Sequence, residues 1–198
     1  IGYWKNKRKE MKKMILKELR IETWSGAATN CYIVQDEVTK ETMVIDPAGD
    51  VEKIVEMLDI LQAKLKYIYL THCHGDHIGG VLGLKEKKGG QIVAQRQAAE
   101  NLKNPEINLT TYIGMETLSI ETDARVDDND LIHVGELEFK VIHTPGHTSG
   151  CSCLYCEKEK LLFSGDTLFR GTWGRTDVPT GDFDTIIKSI TKKLLTSK

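Results

Sequence analysis

The chain has no long hydrophobic run. Its apolar stretches fall far short of the ~20 residues that a membrane-spanning helix needs. It also lacks a surplus of charge of either sign. Twenty-seven Lys and Arg stand against 29 Asp and Glu, a formal net charge of −2, which argues against a nucleic acid or a membrane surface as partner. A disulfide framework is missing too. The five cysteines are an odd number without the spacing of a small secreted domain, and that usage suits a reducing compartment. The start, KNKRKEMKKMILKELRIE, is basic, but Lys17, Glu18 and Arg20 break up its apolar part, so it makes a poor signal peptide. Together these absences point to the cytoplasm. There is no low-complexity tract and no short-period repeat. No G-x-S-x-G elbow is present, so nothing marks a serine nucleophile of that type.

What is there is ordinary globular composition. Forty per cent of the 198 residues are hydrophobic and 28% are charged, enough for one sizeable core. The chain opens on Ile1, and Met11 and Met14 are plausible starts. Residues 1–13 are therefore expected to be a non-core tail or an upstream remnant, and 14–198 the folded domain. MILKELRIE and TNCYIVQD read as strands, and ETMVIDPAG as a strand stopped by Asp46-Pro47. Val51, Ile54, Val55, Leu58 and Leu61 form a helical stripe over 51–64. LKYIYLT is a short buried strand that delivers the chain to His72. A helix over IGGVLGLKEKKG, a strand QIVAQ and a short helix RQAAENLKN follow. Residues 104–125 have weak periodicity and read as a long connection. Two strand pairs turn near Gly135 and at Glu157-Lys158, and GDFDTIIKSITKKLL is an amphipathic helix with Asp182 as N-cap. This order suits a layered α+β or α/β domain.

The segment THCHGDH, Thr71–His77, concentrates three of the six histidines beside an aspartate. Imidazole and carboxylate are good ligands for zinc and similar divalent metals. On a strand-to-helix loop His72 and His74 project the same way and can grip one ion, while Asp76 and His77 can face a second. Four ligand candidates in six residues exceed what one tetrahedral ion takes from a loop, which hints at a two-metal site. HTPGHTSG adds His147 in a turn; His143 reads as packed or hydrogen-bonded, and His133 as structural or exposed. LLFSGDTLF ends a buried strand at Asp166, where a carboxylate can bridge two cations.

Together these residues resemble the metallo-β-lactamase superfamily, whose pattern is an early aspartate, H-x-H-x-D-H, a distant His, a distant Asp and a final His. Asp46 in VIDPAG, then His72, His74, Asp76 and His77, then His147 and Asp166 match in order, over about residues 15–198. LFRGTWGRTDVPTGDFDTII, with Arg175 and Asp177, resembles the short glyoxalase II-like (hydroxyacylglutathione hydrolase-like) members. The resemblance implies a four-layer αββα sandwich of α+β class, the metallo-β-lactamase fold. It implies two divalent ions, zinc ahead of iron or manganese. His72, His74 and His147 would hold one ion, Asp76 and His77 the other, and Asp166 would bridge them. Asp46, Arg175 and Asp177 would be supporting residues. The final histidine has no counterpart here, and the simplest explanation is a truncated sequence lacking a terminal strand, turn and helix.

The expected activity is hydrolysis of a small-molecule thioester of the hydroxyacylglutathione type, or of a related acyl ester, by metal-bound hydroxide oriented by Asp76. One rival is a persulfide dioxygenase-like oxidoreductase with a single iron on His72, His147 and Asp166. Another is a non-catalytic metal-binding module. Cys151, Cys153 and Cys156 fall on different strand faces, so buried free thiols are expected. Cys73 should point away from its ligand neighbours. Arg175 and Asp177 are expected to pair locally. Tyr112, Arg170 and Trp173 are candidates for lining the cleft.

Overall fold

A computed structural model describes residues 14–23 and 28–196; the expected tail over 1–13 lies outside them. Strands β1 (Met14–Glu22), β2 (Ala28–Asp36) and β3 (Glu41–Ile45) form an antiparallel meander. Strands β4 (Lys64–Leu70), β5 (Gln91–Gln95) and β6 (Ala124–Val126) then add in parallel, giving a six-stranded sheet in sequence order. Parallel neighbours need crossovers. Helix α1 (Val51–Ile60) joins β3 to β4; α2 (Gly75–Ile78) and α3 (Val81–Lys88) join β4 to β5. Helix α4 (Arg96–Asn101) opens the return to β6. A second, antiparallel sheet runs β10 (Leu161–Phe163), β9 (Ser152–Cys156), β8 (Leu137–His143), β7 (Leu131–Val134). A two-strand ribbon, β11 (Leu168–Phe169) with β12 (Thr172–Trp173), precedes α5 (Phe183–Ser189), which continues as a π-helical turn over Ile190–Leu194.

Alternation along the strands sorts side chains into two cores. Cys31, Ile33, Val44, Ile68, Leu70 and Ile92 face the helices, against Ile54, Leu58, Val81, Leu84 and Ala98. Val34, Met43, Ile45, Tyr69 and Val93 face the second sheet and meet Val134, Phe139, Val141, Leu154 and Phe163. Full burial of such a side chain contributes about 1.5–3 kcal/mol. At the far end, Ser189 Oγ donates to Pro145 O at 2.7 Å, so α5 covers the turn after β8. The order is helices, sheet, sheet, helix.

The two sheets are clasped at the end opposite β4's C-terminus. The Asp36 carboxylate accepts from Val38 N (2.9 Å), Thr39 N (2.8 Å) and Thr39 Oγ1 (3.2 Å) on its own turn, and from Glu136 N (2.9 Å) on the β7–β8 turn. Glu41 Oε2 accepts from Gly135 N at 2.8 Å on that same turn and pairs with Lys66 Nζ at 2.8 Å.

Three elements differ from the sequence expectation. The first helix stops at Ile60 rather than running to 64, because Gln62 turns left-handed (φ 51°) and Gln35 Nε2 donates to the freed Leu61 carbonyl at 3.2 Å. The helix expected from Ile78 is two helices, starting inside the histidine motif and breaking at Gly79-Gly80, where Gly80 N donates to Pro47 O at 2.7 Å. The 104–125 connection ends in β6, three residues too short to show a period.

Candidate metal centre

The parallel strands β3 and β4 end side by side, with Asp46 N donating to Tyr69 O at 3.0 Å. Ligand sites in such sheets gather outside the carboxyl ends of the strands, and both Asp46 and the histidine motif lie there. Asp46 takes a left-handed backbone (φ 51°) and is almost wholly buried. Its Oδ1 accepts from Thr71 N (2.8 Å); its Oδ2 accepts from Thr71 Oγ1 (2.7 Å) and from His77 Nδ1 (2.9 Å). Asp46 thus commits both oxygens to hydrogen bonds and orients its neighbours. It lies close enough to His72 and His77 to be a ligand candidate, but those three hydrogen bonds favour the supporting role.

The same bonds fix imidazole tautomers. Thr71 spends its single hydroxyl proton on Asp46, so at 3.1 Å it accepts from His72 Nδ1–H. That leaves His72 Nε2 as a bare lone pair, fully buried and without a partner. An unpaired buried acceptor is costly, and a cation is the partner that suits it. His147 Nδ1 donates to the Arg175 carbonyl at 2.7 Å, turning Nε2 inward to 2.9 Å from His74 Nδ1. His72, His74 and His147 each offer one nitrogen within 4.8 Å of the others. Metal-binding histidines are commonly held through their second nitrogen in this way, so this donor set fits a divalent ion.

Asp166 follows β10 through Gly165, whose left-handed φ of 48° suits glycine. A Cβ on Gly165 would also collide with the Thr71 side chain, so only glycine lets this turn reach the end of β4. The carboxylate then spans two groups: Oδ1 lies 3.2 Å from His77 Nε2 and Oδ2 lies 3.5 Å from His147 Nε2. Asp76 is part-buried beside it and takes no hydrogen bond from the described residues.

Electrostatics follow from the crowding. Burial, then the neighbouring rings His77, His74 and His147, hold His72 well below the usual histidine range. Burial and His147 push His74 down to about 3. Burial opposes charge on His77 as well, but Asp166 and Asp46 outweigh it and raise this ring well above the usual range. Burial opposes ionisation of Asp166, yet His77, His147 and His74 hold it down at about 2.

Two cavities meet over this cluster. One, of about 490 Å³, is lined by Asp76, His77, Asp166, Tyr32 and Phe169 among others. The other, of about 390 Å³, is lined by His74, Asp76, His147, Asp166 and Arg175 with apolar neighbours. Arg175 and Asp177 form the expected local pair, with two contacts of 2.7 Å at an exposed position. Tyr112, Arg170 and Trp173 line neither cavity; Phe169, Leu109, Ile113 and Val178 stand there instead. Thr71, which opens the THCHGDH segment but was given no role there, is the hub of the hydrogen bonding.

The remaining polar residues fall outside the cluster. His143 Nε2 donates to Ser149 O at 2.9 Å, and exposed His133 pairs with Glu138 at 3.1 Å. All five cysteines are free and buried. Cys73, beyond the end of β4, packs in the helix-side core, and Cys156 on β9 faces between the sheets, on the opposite strand face from Cys153. Burial raises their thiols, Cys153 to about 11 and Cys151 to about 12. No helix among the described residues is long and apolar enough to cross a membrane.

Comparison with known proteins bears on the family and the fold. Hydroxyacylglutathione hydrolase GloC of Haemophilus influenzae is 32% identical over 168 residues, 84% of this chain and 79% of that protein. Among solved structures, the BLEG-1 B3 metallo-beta-lactamase superposes with a TM-score of 0.83 at 31% identity, over 91% of this chain and 86% of that one. TTHA1623, solved in a di-iron-bound form, gives a TM-score of 0.78 at 25% identity, over 92% and 87%. The sheet-on-sheet sandwich is the fold of these proteins. The profile of the metallo-beta-lactamase superfamily matches residues 24–198, and the chain belongs to that superfamily.

Proposed function

We propose that the protein is a metal-dependent hydrolase of small-molecule thioesters or related acyl esters, of the hydroxyacylglutathione type. The observation that carries this reading is Asp166. Its two oxygens face different histidines, His77 and His147, as a carboxylate shared by two cations requires. His72, His74 and His147 would hold one ion, Asp76 and His77 the other, with Asp166 common to both. Bound divalent ions, zinc ahead of iron or manganese, supply a water acidified towards neutral pH and polarisation of the scissile carbonyl.

The chain's own residues do the rest. Asp76, open to both cavities, holds and orients the attacking water through one of its protons. Asp46 locks His77, and the Arg175 carbonyl locks His147. A thiolate is a good leaving group, so it needs no side-chain acid to depart. The similarity to a hydroxyacylglutathione hydrolase supports the substrate class. Metal analysis paired with a thioester assay tests it. Two ions per chain and thioester cleavage are expected. One iron per chain with oxygen consumption on a persulfide would overturn the reading in favour of the oxidoreductase. Bound metal without turnover would favour a binding module.

A further inference from the structure

Residues 104–120 show no strand or helix period, yet they are firmly fastened. Asn108 is fully buried and uses its whole side chain. Its Nδ2 donates to Leu102 O (3.1 Å) and Leu118 O (2.8 Å), and its Oδ1 accepts from Thr110 N (3.0 Å) and Thr110 Oγ1 (2.7 Å). Thr110, equally buried, accepts from Leu118 N at 3.1 Å. The Asn108 carbonyl accepts from Gly75 N, inside the histidine motif, at 2.8 Å. A Cβ on Gly75 would stand 2.6 Å from Ile113 Cδ1 and 2.8 Å from Met115 Sδ, so the loop sits directly on the motif.

Between these two anchors stands Leu109, with φ 67°. A bulky residue in the left-handed region is an outlier, and strain of this kind persists only where the surroundings impose it. The core gains nothing from it, because Leu109 belongs to neither hydrophobic cluster. Instead it lines the 390 Å³ cavity with Ile113, Phe169 and Val178, across from His74, Asp76, His147 and Asp166. Among the described residues of that lining the one Lys or Arg is Arg175, which pairs with Asp177 at 2.7 Å. The volume is that of a small-molecule site.

We infer that Leu109, Ile113, Phe169 and Val178 form an acyl-binding wall, that the preferred substrates are thioesters whose acyl group carries an apolar chain, and that Leu109 is a specificity-determining residue. This rests on the hydrolase reading above. Leu109 grips the chain while the carbonyl lies towards the histidines.

The test uses the metal-loaded protein and one thiol carrying straight acyl chains from acetyl to octanoyl. Binding of the free carboxylates, acetate to octanoate, is measured in parallel by calorimetry. Each buried methylene should raise both kcat/KM and carboxylate affinity about fourfold until the cavity is full. Leu109→Asn keeps a residue that tolerates positive φ, so its melting temperature should hold or rise while the per-methylene gain falls to about half or less. Equal kcat/KM at every length, or a wild-type gain in Leu109→Asn, would overturn the acyl wall and leave the hydrolase reading standing. A chain-length gain in carboxylate binding, abolished by Leu109→Asn, without cleavage of any thioester would sustain the wall and overturn the hydrolase.

Discussion

Asp46→Asn isolates one carboxylate oxygen's work. The substitution keeps size and shape, and asparagine tolerates the left-handed backbone that position 46 adopts (φ 51°). Asparagine has one acceptor oxygen where Asp46 uses two. If that oxygen keeps Thr71 N, the new amide must face Thr71 Oγ1 and His77 Nδ1, both of which donate to Asp46. His77 then loses a charge-assisted bond of 2.9 Å, worth about 1.5–3 kcal/mol. Its ring is free to rotate or to change tautomer, so Nε2 no longer points at the ion it is proposed to share with Asp166. Losing such a support costs about 10- to 100-fold in metal affinity, or roughly 1.4–2.7 kcal/mol. Competitive zinc titration against a chromophoric chelator reads this directly. In the wild type two equivalents should bind. In Asp46→Asn the weaker should loosen by that factor, while the equivalent on His72, His74 and His147 stays in place. Circular dichroism confirms that both proteins are folded. Two equivalents with unchanged affinities in the variant would refute the argument, since His77 would then need no orienting partner.

Asp76→Asn should lower thioester turnover about 10²- to 10⁴-fold while the ion on His72, His74 and His147 still binds; steady-state kinetics beside metal analysis separate the two effects. Asp36→Ala removes an acceptor of four hydrogen bonds that joins two turns, and urea unfolding should show a loss of about 2–4 kcal/mol. The clasp should also be acid-sensitive. Burial opposes ionisation of Asp36, but its backbone partners hold it below the usual range, and Lys66 and Gly135 do so for Glu41. With folded values below the unfolded ones of about 3.9 and 4.3, this stabilisation is complete above about pH 5 and fades as pH falls through the folded values. Urea midpoints should therefore drop steeply below about pH 4 in the wild type and less so in a Asp36→Asn, Glu41→Gln double variant.

Long periodic elements were legible because their pattern is local. β1 to β5, the two hairpins and α5 with its Asp182 cap all follow from alternation, 3.6-residue spacing and turn chemistry. β6 was not, because three residues cannot show a period. Nor was the break between α2 and α3, which comes from Pro47 O on a different turn. The candidate site divides the same way. Residue types and spacing in HCHGDH, TPGH and SGD marked the donors, but nothing local shows that Thr71 orients them, or that Phe169 lines both cavities while Tyr112 and Trp173 line neither.

By itself, the sequence determined which segments concentrate side chains able to offer metal ligands, and which strand faces are apolar, for these properties depend on residues within a few positions of one another. Only the tertiary structure decided that Asp46 meets His77, that Asp166 lies between His77 and His147, and that a strained Leu109 faces them. Those meetings join residues 19 to 89 positions apart in the chain, and they depend on how two sheets and a fastened loop pack, which no local pattern encodes.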